Sequence, residues 1–69
     1  MKIVAEVAGT VWKIEARAGT QLAVDDVILV LESMKMEIPV SAPIAGKLLE
    51  LSVREGDAVA EGDVLAILG

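Results

Sequence analysis

The sequence contains no cysteine and no histidine, and a single tryptophan is its only aromatic residue. Without cysteine there is neither a disulfide frame nor a thiolate metal ligand. Without cysteine and histidine, most nucleophile–base pairs of enzymes are also missing. We therefore do not expect an independent enzyme, a zinc site, a haem or an iron–sulfur cluster.

Basic residues and long apolar runs are also scarce. Six Lys and Arg are scattered among eleven Asp and Glu, and the net charge is −5. Nucleic-acid binding needs a basic patch, which this distribution cannot form. The apolar runs 27–31 and 64–68 are far shorter than the roughly 20 residues of a membrane span, and the N-terminus lacks a secretory signal pattern. We expect a cytoplasmic protein with no nucleic-acid and no membrane partner.

The sequence contains an internal repeat. When residue 5 is aligned with residue 42, an offset of 37, identical residues recur without a gap. The identities are Ala8-Gly9 with Ala45-Gly46, Arg17 with Arg54, Gly19 with Gly56, Ala23 with Ala60, Asp26-Val27 with Asp63-Val64, and Leu31 with Leu68. Such self-similarity indicates a repeated structural unit. Two copies predict one domain over residues 1–69 with pseudo-two-fold symmetry.

Each copy has the pattern of short β-strands. Apolar and polar residues nearly alternate around Trp12 and Leu49, and β-branched runs are bounded by turn residues. We interpret the glycines, including Gly9 and Gly46, as turn formers. The predicted strands lie near 2–6, 11–16, 21–24, 27–32, 37–42, 47–53, 58–60 and 64–68. Their number and spacing favour a small sandwich or flattened barrel.

Lys35 lies between Met34 and Met36, at the turn that joins the fourth and fifth predicted strands. Pseudo-symmetry puts the chain termini side by side where the second copy would have the same turn, with Lys35 at the opposite pole. Apolar side chains at a hairpin tip bury nothing in their own domain, which points to recognition by another protein. The plainer interpretations are a solvated lysine and two methionines that fill gaps in the core. We predict that Lys35 is a covalent attachment site and that both methionines contact a modifying enzyme.

These residues resemble a known family. The likeness to biotinyl domains, and to small biotin/lipoyl attachment proteins in particular, is carried by Glu32-Ser33-Met34-Lys35-Met36-Glu37-Ile38-Pro39, Ala42-Pro43-Ile44-Ala45-Gly46, Glu55-Gly56-Asp57 and Glu61-Gly62-Asp63-Val64-Leu65. The resemblance implies an all-β barrel-sandwich hybrid of two four-stranded sheets, without the protruding thumb of some carriers. It also implies biotin on Lys35, attached by a biotin protein ligase. The carrier would then move a carboxyl group from a biotin carboxylase to a carboxyltransferase.

Two alternatives stay open. Related lipoyl domains carry their target lysine in the same hairpin, so lipoate for 2-oxo-acid chemistry is a second expectation. An unmodified barrel-sandwich adaptor is a third.

Two further residues give testable expectations. Asp25 occupies the place of Gly62 in the second copy, which predicts a strained left-handed backbone at Asp25. Trp12 aligns with Leu49, so we predict a packing role for this tryptophan rather than stacking on biotin.

Overall fold

The computed structural model describes residues 1–69 and consists of eight β-strands. The strands are β1 Lys2–Val4, β2 Gly9–Ile14, β3 Gln21–Leu22, β4 Val27–Ser33, β5 Met36–Ser41, β6 Gly46–Leu51, β7 Ala58–Val59 and β8 Val64–Leu68. All eight predicted strands are present, with bounds that shift by at most about two residues. No helix is present that is long and apolar enough to cross a membrane.

The strands form two four-stranded antiparallel sheets, in the orders β1-β8-β6-β3 and β5-β4-β2-β7. Each sheet therefore takes strands from both halves of the chain, as two interlocked copies require. The predicted all-β, two-sheet fold is confirmed. The edge strand β5 contains Pro39, which cannot donate a backbone hydrogen bond and is tolerated at an edge.

The hydrogen bonds repeat with the sequence offset of 37. The amide of Ala5 donates to the carbonyl of Asp63 at 2.9 Å, and that of Ala42 donates to Asp26 at 2.8 Å. The other matched pairs are Gly62 to Ala5 and Asp25 to Ala42, Gly56 to Val11 and Gly19 to Leu48, and Ser52 to Leu65 and Glu15 to Ile28. The pseudo-two-fold symmetry predicted from the sequence is thus present in the backbone.

The turns before β4 and β8 confirm the expectation for Asp25. Gly62 has φ 91° and Asp25 has φ 72°, so both adopt the left-handed conformation. Glycine adopts it freely, whereas an L-residue does so at a cost. The next residue in each turn accepts a hydrogen bond through its carboxylate: Asp63 from the amide of Ala60 at 2.8 Å, and Asp26 from that of Ala23 at 2.9 Å.

The core lies between the sheets and is entirely apolar. Its largest fully buried side chains are all aliphatic and come from both copies: Ile28, Leu29, Leu31, Leu48, Leu65, Leu68 and Val11. A domain of this size buries only about 60% of the surface that its unfolded chain exposes. Each large core side chain therefore contributes a substantial share of the total stability.

Trp12 is not part of this core, so the predicted packing role is wrong for the interior of the domain. The pairing of β2 with β4 shifts register between Val11 and Lys13, and Trp12 lies at this bulge. Val11 points inward, which turns its neighbour outward and leaves Trp12 49% exposed. Leu49 occupies the equivalent bulge in β6 and is exposed as well.

The interpretation of Gly9 and Gly46 as turn formers is also wrong. These residues begin β2 and β6, and neither has a positive φ. Because each glycine is part of its strand, β2 and β6 begin earlier than predicted. A Cβ atom at either position would come too close to a carbonyl oxygen of a neighbouring strand or of Gly69, so these positions need glycine because it has no side chain.

The termini lie side by side, as predicted. The N-terminal amine of Met1 donates to the carbonyl of Leu68 at 2.6 Å, where β1 pairs with β8. Lys35 follows β4, which belongs to the other sheet. The opposite-pole placement of Lys35 follows from the pseudo-symmetry of these two strand pairs and stays a prediction.

Candidate functional site: an exposed lysine hairpin

The hairpin of β4 and β5 carries the predicted site. Leu31 pairs with Ile38, Glu32 with Glu37, and Ser33 with Met36. Only two residues, Met34 and Lys35, are left to form the loop. The stem is fixed to the domain because Leu31 is buried in the core and Ile38 packs against it.

The two loop residues adopt an unusual backbone conformation. Met34 has φ 53° and Lys35 has φ 65°. Positive φ at both central positions is the requirement of a type I′ turn, which matches the twist of a hairpin and normally selects Asn-Gly. Neither Met nor Lys favours this conformation, which costs an ordinary L-residue about 1–2 kcal/mol. Such strain is typical of functional sites.

The side chains at this tip are open to solvent. Met34 is 92% exposed and Met36 is 62% exposed, and Lys35 is also exposed. The methionines therefore do not fill gaps in the core. No carboxylate oxygen lies within 4.0 Å of the Lys35 amine, since the one ion pair in the structure joins Lys13 to Glu15. The Lys35 amine is therefore exposed and is not held in an ion pair.

The stem next to the loop contains a pair of like charges on facing residues. Glu32 and Glu37 face each other across the two strands, and both are exposed. Like charges directly opposite each other destabilise a strand pair. The hairpin therefore presents an acidic flank beside the lysine, which would attract a partner with a basic surface.

The site is a protrusion rather than a pocket. A groove of about 360 Å³ runs between the edge strands β1 and β5, lined by Ile3, Leu31, Ile38 and Val40 among others. Met34, Lys35 and Met36 do not line it. The structure thus places the three predicted site residues together at one solvent-exposed tip.

One residue of this region was missed from the sequence. Gly9, at the start of β2, lies so close to β4 that a Cβ atom there would be 2.5 Å from the carbonyl oxygen of Glu32. The only signal in the sequence is the recurrence of Gly9 as Gly46, and that pattern equally fits a pair of turn glycines.

Comparison with known proteins places this geometry in a family. A family model described as "Biotin-requiring enzyme" matches residues 1–68. The "Biotin/lipoyl attachment protein" of Bacillus subtilis (strain 168) is 45% identical over 94% of this chain and 89% of its own length. The "Biotinylated protein TB7.3 homolog" of Mycobacterium leprae (strain TN) is 42% identical over 93% of this chain and 90% of its own length.

A solved structure shows the same fold. The urea carboxylase of Kluyveromyces lactis superposes on the whole chain with a TM-score of 0.95 and 30% identity. This chain spans only 6% of that protein, so the likeness concerns one domain of a large enzyme. Because the family model covers nearly the entire sequence and both small relatives match almost end to end, the chain belongs to the biotin/lipoyl attachment family.

Proposed function

We propose that this protein is a biotin carboxyl carrier, modified on Lys35 by a biotin protein ligase. The observation that carries the proposal is the solvent-exposed lysine in a strained two-residue hairpin loop, framed by two exposed methionines. Met34 and Lys35 oppose the backbone conformation that this loop requires. A purely structural turn would be served better by Asn-Gly.

The hairpin cannot activate an acyl group. A free carboxylate is a poor acyl donor, and the sequence has no histidine or cysteine that could act as an acyl-transfer nucleophile. The acyl group must therefore arrive already activated, as the acyl-adenylate of a ligase. The Lys35 nitrogen would lose a proton and form an amide bond with the biotin carboxyl carbon as AMP leaves.

After modification, the domain would position the attached biotin for its partner enzymes. Biotin accepts and delivers a carboxyl group, and the Lys35 side chain would hold it on a flexible stem at the end of a packed β scaffold. Tethering raises the effective concentration of a group near its partner enzymes. The partners we propose are a biotin carboxylase and a carboxyltransferase, because one relative of the domain lies within a urea carboxylase. The identity of the carboxyl acceptor would be set by the carboxyltransferase.

Met34 and Met36 would serve as contacts for the ligase. Methionine is flexible and polarizable, which suits a surface that different proteins must recognise in turn. The acidic pair Glu32 and Glu37 would speed the encounter with a basic partner. The predicted cytoplasmic location stays a prediction, and cell fractionation would test it.

Lipoate is the second candidate, because the Bacillus subtilis relative is described as a biotin/lipoyl attachment protein. Intact-mass measurement of protein from cells that contain both a biotin and a lipoate ligase separates the two acyl groups. We expect the mass increase of one biotin. A single lipoyl increment would establish the second candidate, and an unchanged mass would favour an unmodified adaptor.

Carrier activity needs a separate test. The biotinylated domain is incubated with a biotin carboxylase, ATP and radiolabelled bicarbonate, and then separated from the free label. We expect label on the biotinylated domain and none on the unmodified domain. A biotinylated domain that several carboxylases fail to label would contradict the carboxyl-carrier role while leaving biotin attachment intact.

A further inference from the structure

Gly9 stands where β2 passes closest to the stem of the lysine hairpin. A Cβ atom at this position would lie 2.5 Å from the carbonyl oxygen of Glu32 and 3.3 Å from the Cβ of Ser33. The next residue, Thr10, pairs with Glu32 in the sheet. Glu32 and Ser33 are the last two residues before the Met34-Lys35 loop, so this contact sets how closely the stem approaches the body of the domain.

The contact cannot be relieved by a side-chain rotation, because the atom that a Cβ would meet belongs to the backbone. Carbon–oxygen contacts between neighbouring strands are ordinarily about 3.3–3.6 Å. A methyl group on residue 9 would therefore push the stem outward by about 1 Å. The displacement would be transmitted to the loop, which follows within two residues.

We propose that Gly9 is a positioning residue for the modification of Lys35. Because Gly9 has no side chain, β2 can hold the hairpin stem close to the domain, in the position in which a ligase binds the loop. This inference rests on the proposed function, since it concerns the reaction at Lys35. A misplacement of about 1 Å by a change outside the reacting groups can lower a rate about 10²-fold.

The repeat provides a matched control. Gly46 begins β6 as Gly9 begins β2, and a Cβ there would lie 2.7 Å from the carbonyl oxygen of Gly69. The steric conflict is of the same kind, but Gly69 is the last residue of the chain and lies outside the lysine hairpin. Gly46→Ala therefore tests the same crowding without moving the loop.

The experiment uses the full unmodified domain as the acceptor for a purified biotin protein ligase with biotin and ATP. The kcat and KM for the wild type, Gly9→Ala and Gly46→Ala are measured at a temperature at which each is folded by circular dichroism. We expect kcat/KM of Gly9→Ala to fall about ten- to a hundredfold and that of Gly46→Ala to stay close to the wild type. Backbone amide NMR shifts of residues 33–36 should change in Gly9→Ala and not in Gly46→Ala.

A third variant, Leu65→Val, separates positioning from stability. Leu65 is fully buried and lies in β8, in the sheet that does not contain the hairpin, so its truncation should lower the unfolding free energy. If it loses kcat/KM as Gly9→Ala does, or if Gly46→Ala does so, the proposal is overturned. It is also overturned if Gly9→Ala keeps the wild-type kcat/KM. Should Gly9→Ala be partly unfolded, all variants are compared in trimethylamine N-oxide, which strengthens folding.

The outcome for Gly9 can be distinguished from a failure of the proposed function. If the wild-type domain is not a ligase substrate at all, the proposed function fails. The NMR comparison on the unmodified domain still decides whether Gly9 sets the hairpin position, since it requires no ligase. Unchanged shifts at residues 33–36 in Gly9→Ala would refute the positioning role by themselves.

Discussion

Replacing Met34 by asparagine should raise the free energy of unfolding and slow the biotinylation of Lys35. Met34 has φ 53° and is 92% exposed, so it carries backbone strain and buries almost no apolar surface. Asparagine visits the left-handed conformation readily, whereas an ordinary L-residue loses about 1–2 kcal/mol. We therefore expect Met34→Asn to raise the free energy of unfolding by about 1 kcal/mol, which corresponds to a rise in Tm of about 4–8 °C in a domain of this size.

The same change should slow biotinylation. Full burial of a methionine side chain against a partner contributes about 1.5–3 kcal/mol, so its loss should lower the kcat/KM of the ligase reaction on the order of ten- to a hundredfold. Urea unfolding followed by circular dichroism measures the first effect, and a streptavidin-based rate assay measures the second.

Met36→Asn is the matched control for this pair of measurements. Met36 is an exposed strand residue without a positive φ, so the substitution should slow biotinylation and give no gain in stability. A Met34→Asn variant that is not stabilised would refute the strained-turn account. One that is stabilised yet biotinylated at the wild-type rate would refute the recognition role of Met34.

Substitutions at positions related by the internal repeat should change the free energy of unfolding in ways that the structure explains. Asp25→Gly should raise the free energy of unfolding by about 1 kcal/mol and Gly62→Ala should lower it by about 1–2 kcal/mol, because both positions are left-handed; urea titrations with equal or reversed signs would contradict this. Ile28→Ala and Leu65→Ala remove fully buried side chains at equivalent positions and should each cost about 2–5 kcal/mol. A loss well under that range in thermal unfolding would show that the core can collapse around the gap.

Most of the fold could be predicted from the sequence because the local signals agree with one another. Alternation, turn residues and the internal repeat all indicated β structure, and all eight strands were found. Backbone hydrogen bonds such as Ala5 to Asp63 and Ala42 to Asp26 recur at the same offset as the residues themselves. The left-handed conformation of Asp25 was predictable because its repeat partner, Gly62, is a residue that favours it.

The misassigned residues share one physical cause, which is that their role depends on a neighbouring strand. Gly9 and Gly46 look like turn glycines in the sequence, but the space that they leave is needed by Glu32 and Gly69. Trp12 looks like a core residue because it is large and apolar. The bulge that turns it outward depends on the pairing of β2 with β4, which no local pattern specifies.

The lysine tip was predictable in position and not in conformation. Met34, Lys35 and Met36 were expected at a hairpin, and they are exposed there. Nothing in Met-Lys favours a type I′ turn, since that turn selects Asn-Gly. The conformation is imposed by the register of the stem, in which Ser33 pairs with Met36 and leaves two residues to close the loop.

The most direct test of the central claim compares Lys35→Arg with Lys47→Arg. Both lysines are exposed, and both substitutions keep the charge. Each variant is co-expressed with a biotin protein ligase, and incorporated biotin is measured with streptavidin alongside the unfolding free energy. We predict that Lys35→Arg carries no biotin and Lys47→Arg as much as the wild type, with both folds intact. Biotin on a folded Lys35→Arg variant would contradict the account.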